Sequence, residues 1–235
     1  DFTLPQSREG FPELNENDLV VFATPTYPGR VPNVLLKYLE TIKGNGALAI
    51  PVVTFGNRNY DNSLIELRDI LENAGFHTIA GIASACQHSF SHELGKGRPD
   101  MMDIMEVRRF CTRVYNGITT NPDLTKEPVK VPGIPETYGG YYKPQDRNGV
   151  HIDIRKVTPK VNDSCTNCGY CAVVCPMGSI VKEDVTKMQG ICIKCNACYK
   201  KCPNKARYFD DEGYIYHKEE LEDLYKRRAD NRFFM

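Results

Sequence analysis

Along the first half of the chain, short apolar runs alternate with amphipathic stretches. Asp18 to Ala23 is almost continuously apolar, as is Ala47 to Phe55, and His77 to Ala85 is a third run of the kind. Runs this short and this apolar predict strands of a sheet covered on both faces. Between them the period changes. Val31 to Lys43 sets Val34, Leu35, Leu39 and Ile42 at helical spacing, with Pro32 near the start and Gly44 at the end. A second stripe, Leu64, Leu67, Ile70, Leu71 and Ala74, follows Asp61 and Asn62, either of which can cap a helix, and stops at Gly75. Asp100 to Ile118 repeats the pattern with an acidic cap and Ile104, Val107, Cys111 and Val114 as its stripe. Strands alternating with helices predict a parallel α/β sheet with right-handed crossovers, whose ligands sit beyond the carboxyl ends of the strands. Pro51 argues against a regular ladder in the middle of the second strand.

The pattern then fades. Thr119 to Asn148 is rich in Pro, Gly and Tyr (Pro122, Pro128, Pro132, Pro135, Gly139, Gly140, Pro144) and reads as a semi-rigid linker. Near the end, His217 to Arg228 carries Glu219 and Glu220 early and Lys226, Arg227 and Arg228 late, the polarity that a helix dipole prefers. These changes predict a first domain over 1–118, a linker over 119–156, a second domain over 157–213 and a helix with a tail over 214–235.

Charge changes the picture little. Thirty Lys and Arg balance thirty Asp and Glu, and no long apolar run occurs, so neither a nucleic-acid footprint nor a membrane span is expected. Cysteine changes it a great deal. Eight of the ten cysteines fall in two runs of the form C-x2-C-x2-C-x3-C-P: Cys165, Cys168, Cys171, Cys175 with Pro176, and Cys192, Cys195, Cys198, Cys202 with Pro203. Three cysteines on a tight loop reach three irons of a cubane cluster, and the fourth arrives from the other run. On this pattern Cys165, Cys168, Cys171 and Cys202 hold one [4Fe-4S] cluster, and Cys192, Cys195, Cys198 and Cys175 hold the other. Zinc sites set their cysteines in separated pairs, and disulfides at this density belong to secreted staple folds. Cluster ligation needs reduced thiols, so a reducing cytoplasm is the expected compartment. Cys86 and Cys111 lack the spacing and read as buried thiols.

The double run resembles the bacterial two-cluster ferredoxins. Ahead of it, Thr24-Pro25-Thr26-Tyr27-Pro28-Gly29-Arg30 and Phe55-Gly56-Asn57-Arg58-Asn59-Tyr60 each follow a predicted strand and look like the flavin-flanking loops of flavodoxins. With Gln87 to Ser91 and Gly97 to Asp100, nearly the whole chain resembles the bacterial fusion proteins that join a flavodoxin-like domain to a two-cluster ferredoxin domain. The resemblance implies an α/β flavodoxin-like parallel sheet, incomplete at its N-terminus, plus an α+β bacterial two-cluster ferredoxin domain. It implies two [4Fe-4S] clusters and FMN, with Tyr27 stacked on the isoalloxazine, Thr26 and Gly29 lining it, and backbone groups of Gly56, Asn57 and Asn59 at its polar edge. Flavodoxins open on a strand and a phosphate loop, and nothing before Asp18 resembles either. About 40 residues, one strand-helix-strand unit, are therefore expected ahead of Asp1.

The leading expectation is electron transfer between the clusters and FMN, with redox proteins as partners and possible reduction of a small acceptor. Arg30, His88 and Arg98 are the candidates to hold such an acceptor. The alternative is a ferredoxin-type carrier whose first domain docks partners without flavin. Lys194, Lys200, Lys201, Lys205 and Arg207 suit an acidic partner or compensate cluster charge, and equally suit a solvated face.

Overall fold

A computed structural model describes residues 1–235, the side chains of Pro122 and Asp123 excepted. In chain order its strands and helices are β1 (Leu19–Pro25), α1 (Leu36–Leu39), β2 (Leu48–Phe55), α2 (Ser63–Asn73), β3 (His77–Thr78), β4 (Gly81–Ala85), α3 (Met101–Thr120), β5 (Lys160–Val161), α4 (Tyr170–Val173), α5 (Ala197–Lys200), β6 (Arg207–Tyr208), α6 (Glu212–Leu224) and β7 (Arg232–Phe234). They fall into two compact units. One takes Asp1–Gly10, Ser89–His92 and Lys143–Leu224; the other takes Phe11–His88, Glu93–Tyr142 and Tyr225–Met235. Among the described residues no helix is long and apolar enough to cross a membrane.

The second of these units is an α/β sheet in the order β1-β2-β4-β7, with β3 also on β2. The three predicted strands are parallel, with Leu19 beside Leu48 and Val52 beside Ile82. Pro51 sits mid-strand without breaking β2 because of what lies opposite. Odd-numbered β2 residues turn their backbone groups toward β3 and β4, where the carbonyls of Ala49 and Phe55 accept from Ile79 and Cys86. The pairing shifts register by one residue between Ala49–Thr78 and Val52–Ile82, so the missing N–H of Pro51 faces a bulge rather than a ladder position. The tail adds β7 antiparallel to β4, which a three-residue strand with no alternation does not announce in sequence.

Helices cover both sheet faces. Phe110 and Val114 of α3 pack with Ile50 and Ile82, while Leu64 of α2 lies beside Gly81, and successive strand residues point to opposite faces. The predicted first helix is short: a 3-10 turn at Asn33–Leu35 runs into α1, yet Leu35, Leu39 and Ile42 are buried as its spacing requires. Asn62 precedes α2 without capping it. Its amide donates to the Tyr138 carbonyl at 2.9 Å and accepts from the Ile134 N–H at 2.8 Å, and so ties down part of the predicted linker. The Val129 N–H donates to Thr78 and that of Tyr142 to Pro28, so this stretch up to Tyr142 lies ordered against the sheet unit. Pro122 begins a 3-10 turn, and its side chain is outside the described ones.

The stripe of α3 differs from the predicted one. Asp100 caps it in a full capping box with Asp103, and the inward positions are Asp103, Val107, Phe110 and Val114. Ile104 and Cys111 lie one position off that line and are exposed, which corrects the expectation of a buried Cys111. Cys86 is half-buried, and burial raises its thiol pKa.

The cysteine unit is small and largely irregular. β5 and β6 form an antiparallel pair, Lys160 beside Tyr208, and Ile180 bridges Met188. The short helices α4 and α5 start one residue after Gly169 and Asn196, both in the left-handed region. α6 buries Tyr214, His217 and Leu221, and Phe209 stacks on Tyr214 with centroids 4.2 Å apart. The helix runs earlier than its charge pattern suggested, ending at Leu224.

Candidate functional site

The two cysteine runs have the same local build. The offset that carries Cys165 onto Cys192 also carries Asn167, Gly169 and Gly178 onto Lys194, Asn196 and Lys205, and all six residues have positive φ. That conformation costs a side chain energy and is used here at matched places, where it turns backbone N–H groups toward sulfur. The Asn167 N–H donates to Cys165 Sγ at 3.4 Å. Ser179 N–H donates to Cys175 Sγ at 3.4 Å, and its counterpart Ala206 N–H to Cys202 Sγ at 3.3 Å. The third cysteine of each run, Cys171 or Cys198, sits on the short helix and is buried beside Ile180 and Val185, with Cys165, Cys175 and Met188 around them.

Electrostatics groups the thiols across the two runs. Burial pushes Cys192 and Cys195 up and Cys198 up to about 12, and the nearby Cys175 adds to the rise in all three. These four also line one recess with Pro159, Ile180, Met188, Ile193 and Phe209. Neutral thiols crowded in an apolar wall are poor ligands as they stand, and a metal core that binds them as thiolates reverses the balance by its own charge. For Cys202 burial also pushes upward, but the N–H groups of Ala206, Asn204, Arg207 and Lys205 outweigh it and lower the pKa. Among the described residues no three His, Cys, Asp or Glu side chains close in as they do around a single ion, and a four-iron core spaces its thiolates more widely. The residues present fit such a core.

Arg207 is a feature that its place in a basic run concealed. It is buried to 3 % exposure, and its Nη2 donates to Cys171 Sγ at 3.1 Å and to the Val185 carbonyl at 2.5 Å. The same repeat offset makes Ile180 its counterpart in the first half. Lys194 and Lys200 are also engaged within the unit, on the carbonyls of Arg155 and Cys192 and of Ser91, which leaves Lys201 and Lys205 as the exposed part of the run.

In the sheet unit the residues implied for a flavin are close to the carboxyl ends of β1 and β2, but most are occupied by the chain itself. Thr26 Oγ1 bonds Ser63 Oγ at 2.8 Å. Tyr27 exchanges backbone bonds with Arg30 in a tight turn, and a Cβ on Gly29 would meet Asp61. A Cβ on Gly56 would meet His88. Asn57 is buried, with its amide donating to the Tyr225 and Arg227 carbonyls at 2.8 and 2.7 Å and accepting from the Ala229 N–H at 3.1 Å. Asn59 lines a cavity, and its Oδ1 also accepts from Asp61 N–H. The proposed acceptor ligands fare likewise. Arg30 forms a two-point ion pair with Glu66 and packs on Tyr138 and Tyr141, and Arg98 is buried on Asp103. The turns implied for a flavin thus lie beyond adjacent parallel strands, with several of their side chains engaged within the chain.

A family model described as a 4Fe-4S dicluster domain matches residues 164–207. No curated protein and no solved structure matches the chain. The matched stretch is the cysteine unit's core, so the chain carries a ferredoxin-type iron–sulfur domain and an electron-transfer role goes with it.

Proposed function

We propose that the protein carries electrons through two [4Fe-4S] clusters, one on Cys165, Cys168, Cys171 and Cys202, the other on Cys175, Cys192, Cys195 and Cys198. The observation that carries this reading is Cys175, which stands with the cysteines of the other run in one apolar recess. The clusters supply one-electron chemistry over a wide range of potentials. The chain supplies the rest. N–H groups of the cysteine loops point at the sulfurs and favour added negative charge, while Ile180, Met188 and Phe209 keep water away. A redox protein is the proposed partner, and a reducing cytoplasm suits the thiolates.

Arg207 should make the two clusters unequal. A buried cation donating to a ligand sulfur favours the reduced state, and Ile180 offers nothing of the kind at the matched place. Replacing it by a side chain of similar length, Arg207→Met, is expected to lower one of the two midpoint potentials by on the order of tens of millivolts. A redox titration followed by electron paramagnetic resonance reads this; equal shifts in both potentials, or none, would refute the asymmetry.

A relay to FMN is the second reading. It is favoured by the position of the Thr26–Gly29 and Gly56–Asn59 turns beyond adjacent parallel strands, where ligands of such sheets bind. Iron and flavin content on anaerobically purified protein separates the two. About eight irons per chain without flavin is expected of the carrier, since each cubane holds four. Flavin near one per chain establishes the relay, and iron near four removes the second cluster.

A further inference from the structure

In the sheet unit a cavity of about 540 Å³ opens beyond the carboxyl end of β2, within the usual range for small-molecule sites. Phe55, Tyr60, Pro132 and Phe234 form its apolar part. Arg58, Arg227, Arg228 and Arg232 also line it, against one carboxylate, Asp230. Arg58 pairs with Asp61, and Arg228 with Asp100 and Asp103. Among the described residues, no ion pair involves Arg227 or Arg232.

The arginines are held in place through backbone groups, Arg227 Nη2 itself donating to the Arg58 carbonyl at 3.2 Å. Asn57, at φ +64°, grips the tail at Tyr225, Arg227 and Ala229, and Arg98 donates to the Ala229 carbonyl at 2.5 Å. Asn231 then accepts from the Ala85 N–H at 2.9 Å and donates to Asp103 and Glu106, which sets the register of β7 and with it Arg232. Four guanidinium groups around one concave space repel each other, and their planar forks match the oxygens of phosphate or carboxylate. An anion in the cavity would relieve the first and satisfy the second. A 540 Å³ hollow with aromatic walls is shaped for a small molecule rather than for a protein surface.

We propose that this cavity binds a small oxyanion bearing two or more negative charges, on phosphate or on carboxylate groups, using Arg227 and Arg232 as its principal contacts. The inference depends on neither the clusters nor a flavin. Isothermal titration of the full, cluster-loaded chain with inorganic pyrophosphate and, separately, with citrate tests it at physiological salt. Saturable binding of at least one probe is expected, weakened tenfold or more in the double variant Arg227→Gln, Arg232→Gln and unchanged within twofold in Lys37→Gln, an exposed cation elsewhere on the unit. Preference for pyrophosphate identifies phosphate esters as the ligand class, and preference for citrate identifies polycarboxylates. No binding of either probe, or an equal loss in Lys37→Gln, overturns the proposal. Both tail arginines are exposed, and circular dichroism on the variants confirms that the fold is retained.

Discussion

Cys175→Ser and Cys192→Ser, made singly or together, should each leave about four irons per chain, whereas Cys175→Ser with Cys168→Ser should leave almost none. The first pair removes two ligands of one cluster. The second removes one ligand from each. The expectation follows from the placement of Cys175 in one recess with Cys192, Cys195 and Cys198, although Cys168 belongs to its own run. If each run held its own cluster, the outcomes would be exchanged, with the double variant of Cys168 and Cys175 keeping four irons. Iron analysis with the visible absorption of the loaded protein reads both. The proposed exchange would also interlock the halves of the unit, so loss of either cluster should lower the melting temperature of the whole cysteine unit.

Asp103→Asn is expected to destabilise the sheet unit by about 3–5 kcal/mol, because it leaves Arg98 charged and buried without its partner. Both side chains are almost wholly enclosed, at 4 % and 1 % exposure, and Arg98 binds the carboxylate through Nε at 3.1 Å and Nη2 at 2.6 Å. Asp103 also accepts from Asn231 and Arg228 of the tail, so the loss should free the tail along with α3. Replacing both partners by apolar residues, Arg98→Met with Asp103→Leu, should cost less than Asp103→Asn alone, since no unpaired charge is then buried. Denaturant titration of the three proteins checks the order; a double variant less stable than the single one would refute it.

The same pair fixes an acid limit. The Arg98 hydrogen bonds hold the Asp103 carboxyl well below the usual carboxylate range, despite its burial. A group whose folded pKa is depressed contributes stability above its unfolded value, about 3.9, and loses it as the pH falls toward the folded value. The melting temperature of the sheet unit should therefore hold steady from neutral pH to about pH 5 and drop below about pH 4. In Asp103→Asn that acid drop should be shallower. An identical slope in both proteins would show that other carboxylates set the limit.

How far the sequence carries the reader differs between the two units. In the cysteine unit the spacing contains nearly all of the proposed site, because the first three cysteines of each run lie within seven residues and the proposed exchange asks the fold to bring only one more. In the sheet unit, apolar runs located the parallel strands, and the acidic cap at Asp100 located the start of α3. The stripe of that helix was misplaced because one of its inward positions is an aspartate. Apolar periodicity has no place for a charge in the core, and only the position of Arg98 and Asn231 makes Asp103 an inward residue. The sequence gives no sign that the Asn57 side chain clamps a segment more than a hundred residues later.

By itself, then, the sequence determined what depends on neighbours along the chain: strands, caps, and cysteine loops able to hold irons. The tertiary structure alone decided what depends on distant partners. It set Arg207 against Cys171, and folded a tail with no pattern of its own onto β4 so that its arginines face a cavity. The physical reason is one of range. Periodicity and turn chemistry are written in residues a few positions apart, whereas ion pairs and buried amides are satisfied by whichever group the fold brings within 3 Å.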